Sequence, residues 1–270
     1  MLRGEGRAVA FEFDLDTHVE RQGTGTYAAR LTDRWNALGG RPNGGYVLGA
    51  CMRALVDAIA APDPLAVAAF FLRPAVPGPA TITTDVVRSG RRVSTGEVRL
   101  LQDDREVVRV IASLTDLASS TGRTVLLSPP PDLPGVDDAI DLLGGRAIPE
   151  VTIVDRYDYR VAMIPGWVQG KPTGDASMQF WLRFRDERPV DTLALVTMVD
   201  AAWPAVLELG EAGSSTVELS VHVRARPRPG WLACRVRTRY VIGGYHEEDF
   251  EIWDAEHNLV AQSRQLALLV

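Results

Sequence analysis

Apolar residues recur at helical spacing between Gly44 and Ile59, with Val47, Leu48, Cys51, Leu55 and Ile59 on the repeat. Most intervening positions are also apolar or small, so the pattern predicts a helix buried on most of its faces. Ala61-Pro62-Asp63-Pro64 ends it. Four strand-like segments follow, at about residues 65–72, 80–89, 93–102 and 106–117. Their separators, Pro77-Gly78-Pro79, Ser89-Gly90-Arg91-Arg92 and Asp103-Asp104-Arg105, read as hairpin turns. Upstream, residues 17–30 alternate weakly and read as a strand with a glycine break.

Residues 118–150 change character. Ser119-Ser120-Thr121-Gly122 and Pro129-Pro130-Pro131 mark a polar, proline-rich linker. The earlier pattern then returns. Residues 177–185 read as a strand, and residues 191–209 as a long apolar helix interrupted at Pro204. Residues 216–224, 231–242, 246–253 and 259–269 read as four more strands. Each half is thus a strand, a buried helix and a four-strand antiparallel meander, which indicates a duplicated unit. In each unit the sheet must wrap the apolar helix, because nothing else is available to cover it. The expected class is α+β, two tandem hotdog units: residues 1–118, a linker over 119–150, and residues 151–270.

Composition narrows the function. The chain has 270 residues with 46% hydrophobic and 24% charged content, that of a soluble globular protein. A net charge of −6 argues against a nucleic-acid surface. Lys171 is the only lysine, which leaves little room for Schiff-base or P-loop chemistry. Cys51 and Cys234 are far apart and sit in apolar or strand-like runs, so a disulfide framework is not expected and a reducing cytoplasm is the default. The first seven residues lack an apolar signal core. No apolar run reaches the roughly 18 residues of a membrane span.

The polar stretch Arg41-Pro42-Asn43-Gly44-Gly45-Tyr46 opens the first buried helix. Glycines at a helix start let backbone N–H groups approach a ligand, with the positive helix end behind them. That suits a carbonyl or a phosphate. The bland alternative is a tight turn needing positive φ. Asn43 suits a helix cap or a pocket wall. In the second helix Asp200 stands alone among apolar residues, where burial raises a carboxylate's pKa toward that of a general base, unless it merely caps the segment beginning at Pro204.

Several motifs together resemble the bacterial acyl-CoA thioesterase II family. These are Gly44-Gly45-Tyr46-Val47-Leu48-Gly49-Ala50, then Phe70-Phe71-Leu72-Arg73-Pro74, then Arg88-Ser89-Gly90-Arg91-Arg92-Val93-Ser94, and the tail from Asp254 to Gln265. The likeness runs from about residue 20 to 270. It implies acyl-CoA hydrolysis without a metal or redox cofactor. It also implies a catalytic set of an aspartate on the second helix, a serine or threonine on the following strand, and a glutamine near the C-terminus, which together activate water. Asp200 and Gln265 match two of these positions, with Gln262 a nearby alternative. For the hydroxyl, Thr216, Glu218, Ser220 and His222 alternate with Val217, Leu219, Val221 and Val223 on one strand. Ser220 is the first choice and Thr216 the second; His222 shares their face and would join the site or be solvated. The N–H of Gly45 or Tyr46 is the expected oxyanion donor. Arg73, Arg91 and Arg92 would meet CoA phosphates or remain solvated turn residues.

Two other readings stand beside hydrolysis. A hydratase-type hotdog enzyme pairs an Asp with a His a few residues on, and Ala201-Ala202-Trp203-Pro204 supplies none. A non-catalytic acyl-CoA or fatty-acyl binder is the third. Gly23-Thr24-Gly25-Thr26-Tyr27-Ala28 lacks the strand and helix of a dinucleotide site. No GxSxG elbow is present, and His18, His222, His246 and His257 lack metal-site spacing. Surfaces rich in Trp and Leu leave room for a homodimer or higher homo-oligomer.

Overall fold

The computed structural model describes residues 10–270; the seven-residue start read above for a leader lies outside the described residues. A short helix α1 (Glu12–Asp16) leads into the hairpin β1 (Val19–Gly23) and β2 (Thr26–Leu31). Two small bridges, β3 (Asn36–Ala37) and β4 (Arg41–Pro42), precede the long helix α2 (Gly44–Ile59). Then come β5 (Asp63–Phe71), β6 (Gly78–Arg88), β7 (Ser94–Gln102) and β8 (Arg105–Thr115). The second half holds β9 (Ile140–Asp141), β10 (Tyr157–Val161), β11 (Ser177–Phe184) and the helix α3 (Thr192–Met198). It ends with β12 (Ser214–Val223), β13 (Leu232–Arg237), β14 (Val241–Ile242), β15 (Tyr245–Trp253) and β16 (Leu259–Leu269).

All strands except the β3–β4 pair belong to one 14-stranded sheet, ordered β1-β2-β6-β7-β8-β5-β12-β16-β15-β13-β11-β10-β9, with β14 against β15. The two halves join where β5 pairs antiparallel with β12, Ala69 opposite Leu219 and Val67 opposite Val221. Helix α2 packs on β5, β6, β7 and β8, α3 packs on β5, β12 and β16, and the helices touch each other. Tyr46, Leu48, Met52 and Leu55 of α2 are fully buried. Each such side chain contributes about 1.5–3 kcal/mol of burial. Repeated units of sheet wrapped on a buried helix make the double hotdog that the pattern predicts.

Four expectations need correction. Pro77-Gly78-Pro79 is not a hairpin turn, because β5 pairs with β8 and β12 rather than β6. The chain instead crosses over, and the Gln102 amide holds the crossover by bonding Val76 N and O and Pro79 O. The last strand of each half therefore closes beside the first, and the true meanders are β6-β7-β8 and β13-β15-β16. Residues 17–30 form two strands, with Gly25 at φ +65° in the turn. The segment 231–242 breaks after Arg237, and β10 has no counterpart in the sequence reading. Finally, α3 stops at Met198 instead of running on toward Pro204. A proline restricts the residue before it to extended conformations and offers no N–H. The turn tightens first, through Asp200 N to Thr197 O and Ala201 N to Met198 O.

Candidate active site

The glycine pair sits where α2 meets the end of α3. Asn43 caps α2, its Oδ1 accepting from Tyr46 N at 3.0 Å. Its Nδ2 donates to both Asp200 O (2.9 Å) and Asp200 Oδ2 (3.0 Å). Asn43 therefore caps the helix and reaches the site at once. Gly45 N donates to the same Oδ2 at 2.7 Å. The two N–H groups expected to polarise a carbonyl, those of Gly45 and Tyr46, thus already have protein acceptors. Among the described residues, the Gly44 N–H has none. Neither glycine takes positive φ. Crowding is the reason for them: a Cβ at Gly45 would lie 2.4 Å from Thr197 O, and one at Gly44 would lie 2.9 Å from the Phe71 ring and 3.0 Å from Asp200 Oδ2. The Tyr46 side chain points away, donating to Asp16 O and stacking on Trp35.

Asp200 lies just past α3, in the tightened turn. Burial raises its pKa to about 6, against the opposing pull of the Gly45 N–H and the Asn43 amide. Both donors bind Oδ2, and no donor among the described residues reaches Oδ1.

The hydroxyl question turns on a β-bulge. Thr216 pairs with Ala267 and Glu218 with Leu266, so Val217 has no partner in the register of β12 with β16. A bulge inserts one residue and reverses the facing of everything beyond it. Val217 is pushed outward, and Thr216 comes round to the inner face it shares with Leu219 and Gln265. The Thr216 hydroxyl donates to Gln265 Oε1 at 2.9 Å. Ser220 stays on the outer face, donating to Glu218 Oε1, and His222 is exposed beside it. The first-choice hydroxyl is therefore separated from Gln265, and the second choice contacts it. Gln262 pairs with His222 and Glu251, away from this cluster.

One residue of this group escaped the sequence reading. Glu248 lies directly opposite Gln265 in the β15–β16 ladder. Gln265 Nε2 donates to Glu248 Oε1 at 3.0 Å, and Ala205 N donates to Glu248 Oε2 at 2.6 Å. Glu248 is only 6% exposed. Burial pushes its pKa up to about 7, helped by the nearby charges of Asp200 and Glu247. In the sequence it hides among the acidic residues that open the strand read over 246–253. Its signal was the alternation itself, since His246, Phe250 and Ile252 are buried partners on the same face.

Asp200, Thr216, Gln265, Glu248, Asn43 and Gly44 all line one cavity of about 450 Å³, within the range of small-molecule pockets. Val47, Val108, Ile153, Val154 and Tyr159 supply much of its apolar wall. Arg41 and Arg73 border it from exposed positions, with Arg73 Nη1 donating to Glu106 O. Ser220, His222, Arg91 and Arg92 are not among its walls.

A family model described as the acyl-CoA thioesterase N-terminal domain matches residues 31–115, and one described as the acyl-CoA thioesterase C-terminal domain matches residues 127–269. The chain belongs to the acyl-CoA thioesterase II-like family. A family relative, an uncharacterized protein of Mycobacterium tuberculosis, is 25% identical over 94% of both chains. The thioesterase-like protein TwmA of Talaromyces wortmannii is 23% identical over all of this chain and 95% of its own. Among solved structures, a candidate thioesterase II from Thermobifida fusca superimposes with a TM-score of 0.86 at 29% identity, over 98% of this chain and 100% of that one. A hot dog fold protein of unknown function from Alicyclobacillus acidocaldarius gives 0.85 at 22% identity, over 97% and 99%, and shares the fold. Family and fold together support thioester hydrolysis as the class of chemistry. No helix among the described residues is long and apolar enough to cross a membrane.

Proposed function

We propose that the protein hydrolyses acyl-CoA thioesters to a free acid and CoA, with Asp200 as the general base. The observation that carries this reading is the state of the Asp200 carboxylate. One oxygen is held by two donors, and the other is left for a water molecule, in the cavity that Thr216 and Gln265 also line. A base with a pKa near 6 is ionised at neutral pH yet still basic enough to take a proton. The water donates one hydrogen to Asp200 Oδ1 and the other to Thr216 Oγ1, whose own hydrogen is engaged by Gln265. A lone pair of the water oxygen is then free for the carbonyl carbon. The Gly44 N–H, at the positive end of a 16-residue helix, donates to the carbonyl oxygen as it becomes negative. The C–S bond breaks, the sulfur leaves as CoA thiolate, and the proton held by Asp200 returns to it.

The apolar wall suits the acyl chain, and Arg41 and Arg73 at the exposed side suit the CoA phosphates. The buried, unpaired thiols of Cys51 and Cys234 fit a reducing cytoplasm. No histidine lines the cavity, which favours hydrolysis over a hydratase reaction needing an Asp–His pair. Release of free thiol from a panel running from acetyl-CoA to palmitoyl-CoA tests the reading. Turnover in the wild type that collapses in Asp200→Asn supports it, and tight binding of the panel with no thiol release would replace it with a binding protein.

A further inference from the structure

We propose that Glu248 is a positioning residue for this hydrolysis, locking the Gln265 amide so that its oxygen takes the Thr216 hydrogen and leaves the Thr216 oxygen to orient the water. The inference rests on the hydrolytic reading of the cavity, but the contacts that carry it do not.

An amide side chain has a donor end and an acceptor end, and only its neighbours decide which way it faces. Gln265 is 7% exposed, so water does not set its orientation. Thr216 is ambivalent, since a hydroxyl both donates and accepts. The Glu248 carboxylate accepts only, and it faces Gln265 across the ladder at 3.0 Å. With Glu248 ionised, turning Gln265 over would set its oxygen against a carboxylate oxygen. Gln265 Nε2 is therefore held toward Glu248, and Oε1 toward Thr216. In the reversed arrangement Thr216 would accept from Gln265 and aim its own hydrogen into the cavity. That hydrogen would bind the lone pair the water needs for attack.

Glu248 is not a rival base. Each of its two oxygens already accepts a protein hydrogen bond, one from Gln265 and one from Ala205 N. The Ala205 bond also fixes the carboxylate itself, and it anchors the turn that follows Trp203 and Pro204, both cavity-wall residues. Asp200, in contrast, keeps an oxygen with no donor among the described residues. The two cavity carboxyls thus have different tasks, set by where their donors fall.

Glu248→Gln is the informative change, because one acceptor is replaced by a donor at nearly constant volume. It cannot accept from Ala205 N and Gln265 Nε2 on separate oxygens. The expected result is a fall in kcat on the order of 10- to 100-fold with KM moved by less than about threefold, the signature of misorientation without lost binding. In a Gln265→Ala background the same change should cost almost nothing further, since residues acting through one contact are not additive. Multiplicative losses, or an unchanged kcat in the single variant, would overturn the proposal. A second readout needs neither turnover nor a variant. The side-chain amide protons of Gln265, followed by NMR in the wild-type protein, should be widely split, with one shifted downfield by the carboxylate. The ordinary narrow separation of a solvated glutamine amide would overturn the proposal. A split signal in a protein that hydrolyses no thioester would sink the reaction while leaving the amide lock in place.

Discussion

Thr216 contacts Gln265 across β12 and β16 only because Val217 lies between Thr216 and Glu218 without a partner of its own. In a regular strand, with Val217 paired, alternation would turn Thr216 to the outer face with Ser220. The prediction is a sharp division between the two hydroxyls. Thr216→Val should lower kcat by about 100-fold, the range for losing a group that directs proton transfer. Ser220→Ala should stay within about twofold, since its hydroxyl serves only Glu218. Thiol release at saturating acyl-CoA measures both, and the reverse ranking would move the site to the other face of the sheet.

Asp200→Asn probes base and fold separately. Asparagine keeps an oxygen for the Gly45 N–H and loses the charge. Activity should fall by at least about 100-fold, as for removal of a general base. Stability should move the other way. Asp200 has a folded pKa raised to about 6, above its ordinary value. Its stabilising contribution is therefore complete below about pH 4 and lost as pH rises through 6. At pH 8 the asparagine variant should match or exceed the wild type, by on the order of 1–3 kcal/mol. At pH 4 that gain should vanish. Urea unfolding at the two pH values decides, and a variant less stable at pH 8 would contradict the buried-charge account.

The pH profile of kcat/KM follows from the same two carboxyls. Asp200 must be ionised to take a proton, so activity should rise with pH through about 6. Glu248 is pushed up to about 7 by burial, with the nearby Asp200 charge adding to the rise. The two steps belong to the pair rather than to either residue. The curve should therefore climb over more than a single step and flatten only above about pH 8. In Glu248→Gln the climb should narrow to a single step near pH 6, because the second titrating carboxyl is gone. A flat wild-type profile across this interval would remove Asp200 as the base.

Gly45→Ala should damage the site through the fold. The new methyl group would sit 2.4 Å from the Thr197 carbonyl oxygen and 2.8 Å from Asp200 Cβ. Backbone cannot move aside cheaply, so α2 and the end of α3 must part. A cost of about 1–3 kcal/mol is expected from overpacking of this kind. Thermal unfolding would register it as a lower Tm together with lost activity. Gly122→Ala, with open space around its Cβ position, is the control that should change neither.

Helical and strand periodicity carried most of the architecture, because burial of α2 and of the alternating strands is written into residue spacing. Asn43, the glycine pair and Asp200 were legible for the same reason, each being a polar or small residue where the pattern calls for something else, whereas Gln265 was marked only by the resemblance of the C-terminal motif. Thr216 was misjudged because a bulge is a local exception to alternation, and Val217 looks like any other strand valine. Glu248 was invisible for the opposite reason. Its strand and its facing are written in the alternation, but an acidic residue in an acidic run does not show that it meets a glutamine from the neighbouring strand. The crossover in each half was not legible, since β5 finds β8 and β12 through contacts distant in sequence.

The β5–β12 seam makes one sheet of two unlike copies, and that has a bearing on symmetry. A pair of identical units would each have to carry both a glycine-led helix start and an acidic turn, and would build two equivalent sites. Here the first copy supplies the helix start and the second supplies the acid. The other helix start, at Asp191, is instead tied to Arg188, which also holds Asp14. On the proposed reading each copy carries half of the chemistry, and the helix start at Asp191 serves as an ionic clasp instead. A tight-binding thioester analogue should accordingly titrate at one molecule per chain.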